Sequence, residues 1–317
     1  MSGDPEVRGK TVVLIGASSG FGRGAALRLA GLGASVVLVA RRFEALLDLQ
    51  REIEGQGGQA LAVGADVSDP VAVEAAAAAA VERFGRIDVW VNNAGIVAIG
   101  QFWDIPIQDH ARIVEVNLTG LIHGAHAALR RFTAQGDGVL VNVGSVESEV
   151  PLAFQSSYAA TKAGVLSLSR SLNEELRLAG YGDTIRVGTI MPWAVDTPLW
   201  SHAANYSGRT PRMAALDDPE IVVEAIVAAC TDPQEEQRVG WKAQASTRSH
   251  ALFPDTTERL SANLVDRESK KGSAVPPTTG AIYEPMAGTA RVDGGARDRM
   301  RAEDAGEPIP VSEEAHP

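Results

Sequence analysis

Short, continuously apolar runs rich in β-branched residues alternate along this chain with longer stretches of helical length and composition. Residues 11–15, 35–39, 87–91, 138–143 and 184–190 read as buried strands. TVVLIG and VVLVA lack polar alternation, as strands covered on both faces require. Residues 20–32, 43–54, 71–84, 106–132, 156–179 and 219–229 read as helices. Strand and helix in alternation predict an α/β protein with a doubly wound parallel sheet and helices on both faces. The pattern fades late. A short run at 238–241 is a possible last strand, and a polar extension follows it.

Residues 270–317 contain no Leu, Phe or Trp, while Pro and Gly supply 12 of the 48 positions. Such a stretch buries too little to offset its ordering entropy. The expected organisation is one domain over 8–265 with a Pro/Gly-rich arm or disordered tail over 266–317. A small apolar cluster, Ala281, Ile282, Tyr283 and Met286, gives the arm a way to dock on the body or on a neighbouring subunit.

Charge narrows the function. Lys and Arg number 29 against 40 Asp and Glu, a formal net charge of −11, which argues against a nucleic-acid surface. The one cysteine, Cys230, supports neither an intrachain disulfide nor a cysteine metal cage and is expected as a small buried apolar residue. The longest apolar run, residues 75–81, is bracketed by Glu74 and Glu82 and is far short of the ~20 residues of a membrane helix. The N-terminus is acidic and polar. A cytoplasmic protein acting on a small molecule, with no nucleic-acid or membrane partner, is the expectation.

The first strand runs directly into Gly16-Ala17-Ser18-Ser19-Gly20-Phe21-Gly22, and a helix follows. Glycines there let the backbone approach a pyrophosphate, whose charge sits on the helix N-terminus. This strand–loop–helix context points to a Rossmann-like dinucleotide site. About 20 residues on, where an acid binds the ribose of NAD, the chain has Ala40 followed by Arg41 and Arg42. A guanidinium suits a 2′-phosphate, so Arg41 is the expected determinant of NADP (NADPH) over NAD, with Arg42 the weaker candidate. Asp66, next to Val67 after the third strand run, is placed to receive the adenine amino group. Ser68 or Asp69 suits the following helix cap better.

Tyr158 and Lys162 stand four residues apart at the start of a helix, so phenol and ammonium share one face. An ammonium beside the phenol lowers its pKa from ~10 and makes proton exchange with a carbonyl or alcohol feasible. Ser145 follows a strand, at the carboxyl end where open α/β sheets bind ligands. Asn117 lies inside a long helical stretch, where asparagine needs a reason to be.

Together these residues resemble a classical short-chain dehydrogenase/reductase over about residues 8–230. GASSGFG matches the family's glycine loop and NNAG its sheet-stabilising segment; Asn117, Ser145, Tyr158 and Lys162 match its catalytic tetrad. The resemblance implies an oxidoreductase that passes a hydride between a nicotinamide and a substrate carbon. In it Tyr158 is the general acid/base and Ser145 orients the substrate oxygen. Lys162 lowers the tyrosine pKa and binds the nicotinamide ribose, and Asn117 holds a water in a relay to Lys162. Asn93, Ala94 and Gly95 match cofactor-wall positions, and Pro192 and Thr197 the nicotinamide end. It also implies a homodimer or homotetramer built through the helices around Asn117 and Tyr158.

Where the family usually has Pro-Gly, this chain has Pro192-Trp193, which is expected to narrow the substrate pocket. Leu152, Phe154, Trp193, Leu199 and Trp200 fall in the substrate-loop region and suggest an apolar pocket, with Leu152, Trp193 and Trp200 the candidate substrate contacts. Glu147 and Glu149 are expected as solvated loop charges. His123 and His126, one turn apart, have no accompanying ligand at motif spacing, and no metal is expected. The alternatives are a catalytically silent NADP sensor, which would be expected to lack the tyrosine or lysine, and an epimerase or dehydratase. Relatives of the second kind space their glycines GxxGxxG, whereas Gly16, Gly20 and Gly22 give GxxxGxG.

Overall fold

The computed structural model describes residues 5–286 and 290–307. The chain opens with β1 (Thr11–Ile15), α1 (Gly20–Gly31), β2 (Ser35–Ala40), α2 (Phe43–Gly55), β3 (Gln59–Gly64), α3 (Pro70–Phe84) and β4 (Val89–Asn92). A two-residue strand β5 (Ala98–Ile99) leads to α4 (Ile107–Val114), α5 (Gly120–Gln135), β6 (Gly138–Val143), α6 (Ser156–Leu178) and β7 (Ile185–Pro192). Then come α7 (Leu199–His202), β8 (Ala204–Asn205), α8 (Glu220–Ala229), β9 (Glu236–Val239), α9 (Gly240–Leu252), α10 (Pro254–Ser269) and α11 (Ala296–Ala305).

Seven strands form one sheet in the order β3-β2-β1-β4-β6-β7-β9, and every pairing in it is parallel. Side chains alternate between its faces. Val12 and Leu14 enter a core with α1, α2 and α8, while Val13 and Ile15 enter a second core with α3 and α5. This is the doubly wound, Rossmann-like sheet that the alternating runs predict. Chain order reverses between β1 and β4, and ligands of such sheets bind outside the strands' carboxyl ends at that crossover. Among the described residues no helix is long and apolar enough to cross a membrane.

Three expectations need correction. The stretch 106–132 is not one helix: a π-helical turn, Glu115–Thr119, separates α4 from α5 and carries Asn117. The last strand lies at Glu236–Val239 instead of 238–241, because Gly240, at φ +81, turns the chain and Trp241 already belongs to α9. The polar extension beyond it is two further helices, α9 and α10. They bury only Ala243 and Thr247 in one and Thr257 in the other, so no apolar stripe announces them.

The described part of the C-terminal stretch packs against the body. Bridges pair Thr278 with Asn205 and Ala274 with Arg209, and Ile282 is fully buried beside Ala98, Ile105, Ile113 and Ala204. Asp196 caps α11, its carboxylate accepting the N–H groups of Ala296 and Arg297 at 2.9 Å each. The Arg212 side chain, almost wholly buried, donates to Glu303 and, at 2.7 Å, to Asp304. Residues 287–289 and 308–317 lie outside the described part.

Candidate active site

The glycine loop is held by contacts that only glycine permits at two points. Gly16 has φ +83, and a Cβ on it would stand 2.8 Å from the Ala94 nitrogen. A Cβ on Gly22 would stand 2.1 Å from the Gly16 carbonyl oxygen. Asn93 Nδ2 donates to that same oxygen at 3.1 Å and ties the loop to the end of β4. α1 starts with no side-chain cap and no acid in its first turn, so the positive end of its dipole is left for an anion. One of its loop amides, that of Gly20, is taken by the Arg291 carbonyl at 2.8 Å.

Three arginines line the far end of this cleft or buttress it. Arg41 is gripped by the C-terminal arm: its guanidinium donates to the carbonyls of Ala281 at 2.6 Å, Tyr283 at 2.7 Å and Ile282 at 3.2 Å. Arg42 reaches back to the loop and donates to Ser18 O at 3.1 Å and Ser18 Oγ at 3.2 Å. Arg112 donates to Asp66, whose other oxygen accepts the amide and hydroxyl of Ser68 at 2.9 and 2.7 Å. Those bonds outweigh burial and hold the Asp66 carboxyl below its usual range. Asp69, not Asp66 or Ser68, caps α3 through the Val71 amide at 2.9 Å. His202, which the sequence reading missed, joins this end of the cleft; burial, then the Arg42 charge, push it down to about 4.

At the other end β6 and α6 bring Ser145, Tyr158 and Lys162 together. The Ser145 side chain lies beside the Tyr158 phenol, and Lys162 Nζ stands 5.5 Å from the tyrosine ring centre. Lys162 is buried and donates to the Val143 carbonyl at 2.8 Å. Burial lowers it to about 8, opposed by the charge of Glu147. The phenol itself lies above its ordinary value, first through burial and second through Glu147, with the Ser145 side chain opposing. Desolvation is the largest influence on the phenol. Asn117, on the π turn, uses its amide on both backbone groups of Ile96, accepting from N and donating to O at 2.8 Å each. That answers why an asparagine sits inside a helical stretch: the wide turn aims it at the strand end.

Glu147 corrects an expectation. It is 6% exposed, lies in the 3-10 turn Val146–Ser148, and its amide donates to Ser145 Oγ at 3.1 Å. Its carboxyl faces the cleft rather than solvent, and burial raises it to about 8, with the Lys162 cation opposing. Glu149 instead pairs with Arg238 Nε at 2.8 Å. Every residue expected to contact cofactor or substrate lines this one cleft except Gly22 and Asn117, which stand just behind its wall. Leu152, Trp193, Leu199 and Trp200 line its apolar side with Met213, a residue not anticipated. Phe154 does not; it borders a separate cavity. Ala281, Pro285 and Met286 of the arm complete the cleft. Among the other residues weighed, His123 hydrogen-bonds the Val67 carbonyl at 3.0 Å, and the Cys230 thiol is buried and donates to Ile226 O at 3.2 Å.

The geometry has counterparts. The short chain dehydrogenase family model matches residues 10–206. An uncharacterized oxidoreductase of Bacillus subtilis, YxnA, is 33% identical over 283 residues, spanning 88% of this chain and 79% of that protein. L-rhamnose 1-dehydrogenase (NAD(P)(+)) of Azotobacter vinelandii is 37% identical over 234 residues, 70% of this chain and 90% of that protein. Among solved structures, a 3-ketoacyl-(acyl-carrier-protein) reductase of Brucella melitensis complexed with NADH superposes with a TM-score of 0.64 at 33% identity, covering 74% of this chain and 97% of that one.

Proposed function

The chain belongs to the short-chain dehydrogenase family, an oxidoreductase family served by a nicotinamide cofactor, and on that premise we propose that it interconverts a carbonyl and a secondary alcohol with Tyr158 as acid/base and NADP(H) as cofactor. The observation that carries this reading is the convergence of Ser145, Tyr158 and Lys162 at one end of the cleft whose other end is the glycine loop.

The residues present fit a dinucleotide. The uncapped, acid-free N-terminus of α1 suits a pyrophosphate, and the Gly22 cradle has no room for a side chain. When bound, the nicotinamide supplies or accepts the hydride. The chain does the rest. Ser145 donates to the substrate oxygen and fixes it beside the phenol. Tyr158, held protonated by burial, delivers its proton to that oxygen as the C=O π bond breaks, which suits the reductive direction. Lys162 stabilises the phenolate left behind. Asn117 anchors the backbone at Ile96, and its Oδ1 and Lys162 Nζ both border Gly95, as a relay member would.

NADP preference is supported by two partly buried arginines at the β2 end. Arg42 becomes the stronger candidate, because it is bonded to Ser18 of the glycine loop itself, whereas Arg41 is held by three carbonyls of the arm. Burial and the Arg41 charge both disfavour the cation on Arg42, a penalty that a 2′-phosphate relieves. Assembly into a homodimer or homotetramer through α5 and α6 belongs to the same reading; exposed Ile122 on α5 supports it.

The test follows NADPH absorbance against ketones, aldehydes, quinones and sugar-like carbonyls, with Tyr158→Phe alongside. Net consumption by the wild type, lost in the variant with NADPH binding kept, is expected. Cofactor-dependent conversion without net consumption would favour an epimerase or dehydratase, and equal turnover in the variant would overturn the role of Tyr158.

A further inference from the structure

The C-terminal arm meets the cleft at its adenosine end, and one residue makes the central connection. The Ala281 carbonyl accepts from Arg41 Nη2 at 2.6 Å, while its amide donates to the His202 carbonyl at 2.9 Å. Arg41 follows β2, His202 ends α7, and all three residues line the cleft. Ala281 thus ties the end of β2 to α7 along the rim. Arg41 extends the tie to the carbonyls of Tyr283 at 2.7 Å and Ile282 at 3.2 Å. A second contact joins the arm to the glycine loop, where the Gly20 amide donates to the Arg291 carbonyl at 2.8 Å.

We propose that this arm is a strap on the cofactor site, fastened by Arg41, which opens and recloses whenever a dinucleotide enters or leaves. The inference rests on the nicotinamide-cofactor reading of the cleft.

The fastening is polar and the packing beneath it slight. Between residues 273 and 286 only Ala281 and Ile282 bury apolar side chains, so hydrogen bonds hold this stretch more than a core does. Segments with few buried apolar contacts open locally at low cost, as a closing element must. The moorings are firmer. Thr278 bridges Asn205 on one side, and on the other Asp196 caps α11 through the amides of Ala296 and Arg297 at 2.9 Å each. The strap therefore opens between fixed points and reseats on the same partners. Ala281, Pro285 and Met286 line the cleft, so a ligand held there meets the strap as well as the body and favours its closed form.

The test is stopped-flow fluorescence of NADPH and NADH binding to wild type, Arg41→Ala and Ile282→Ala, without substrate. Arg41→Ala is expected to raise association and dissociation rates together, each by about tenfold or more and for both cofactors, so that affinity changes little. Ile282→Ala removes the arm's buried anchor but keeps the guanidinium, and should move both rates the same way. Thermal unfolding checks that both variants are folded. In the wild type, amide exchange at residues 281–283 should slow on loading with NADPH. A faster dissociation alone, confined to NADPH, would make Arg41 a direct phosphate contact and overturn the strap. Unchanged rates in both variants, or arm exchange indifferent to cofactor, would also overturn it and leave the oxidoreductase reading standing. Failure of the wild type to bind either dinucleotide counts against that reading itself and removes the strap with it.

Discussion

The two ends of the cleft differ in how completely the chain satisfies its own polar groups. At the adenosine end Arg41 meets three carbonyls, Arg42 meets Ser18, and Arg112 meets Asp66. Asp66 meets Ser68 as well, and even the Gly20 amide has the Arg291 carbonyl. At the substrate end a carboxyl oxygen of Glu147 and the indole N–H of Trp193 are buried with no partner among the described residues. The first pattern is that of a pre-organised wall, in which long-range bonds from the arm hold cations in place before a ligand arrives. The second shows no such bonding at those two atoms. Preorganisation and unmet valence are thus found among the residues of one cleft.

That contrast can be broken at several points. The largest effect is expected at the cradle: Gly22→Ala drives a Cβ into the Gly16 carbonyl, and nicotinamide-cofactor affinity should fall by about 100-fold, with a lowered Tm. Cofactor fluorescence titration reads it. Arg42→Ala should cost about 10–100-fold in NADPH affinity while leaving NADH nearly unchanged, the range of a charge-assisted hydrogen bond. Equal losses for both cofactors would remove Arg42 from the reading of the phosphate.

Glu147→Gln sharpens the other end through pH. Above the ordinary carboxylate pKa and up to about 8, the folded chain keeps a proton that the unfolded chain has released, so this group lowers stability as pH rises through that window. The variant lacks that slope. Its Tm advantage over wild type should widen between pH 5 and pH 8 and then level off, by about 2–5 °C in all. The smallest effect is expected for Arg41→Ala, which unfastens residues 281–283 and should lower stability by ~1–3 kcal/mol, with faster amide exchange confined to the arm.

Local rules carried much of this fold. β1 and β6 coincide with their apolar runs because strands buried on both faces are continuously hydrophobic, and the glycine loop is legible because its constraint is steric and local. Ser145, Tyr158 and Lys162 are legible because helix spacing and a strand end place them. What stayed hidden depends on distant partners. Arg41 is captured by carbonyls about 240 residues away, and backbone acceptors leave no mark in a sequence. Glu147 and Glu149 look alike on either side of Ser148, and only the 3-10 turn decides that one faces inward and the other meets Arg238. The helices α9 and α10 bury so little that no periodic stripe exists to be read.

The most direct test of the central claim follows the hydride itself. NADPH carrying deuterium at the transferring C4 position is incubated with a turned-over carbonyl substrate, and the product alcohol is examined by mass spectrometry for wild type and Tyr158→Phe. The account predicts one deuterium on the carbinol carbon with the wild type, and product formation reduced by roughly 100-fold or more in the variant. Unlabelled product, or labelled product formed equally fast without the phenol, would contradict it.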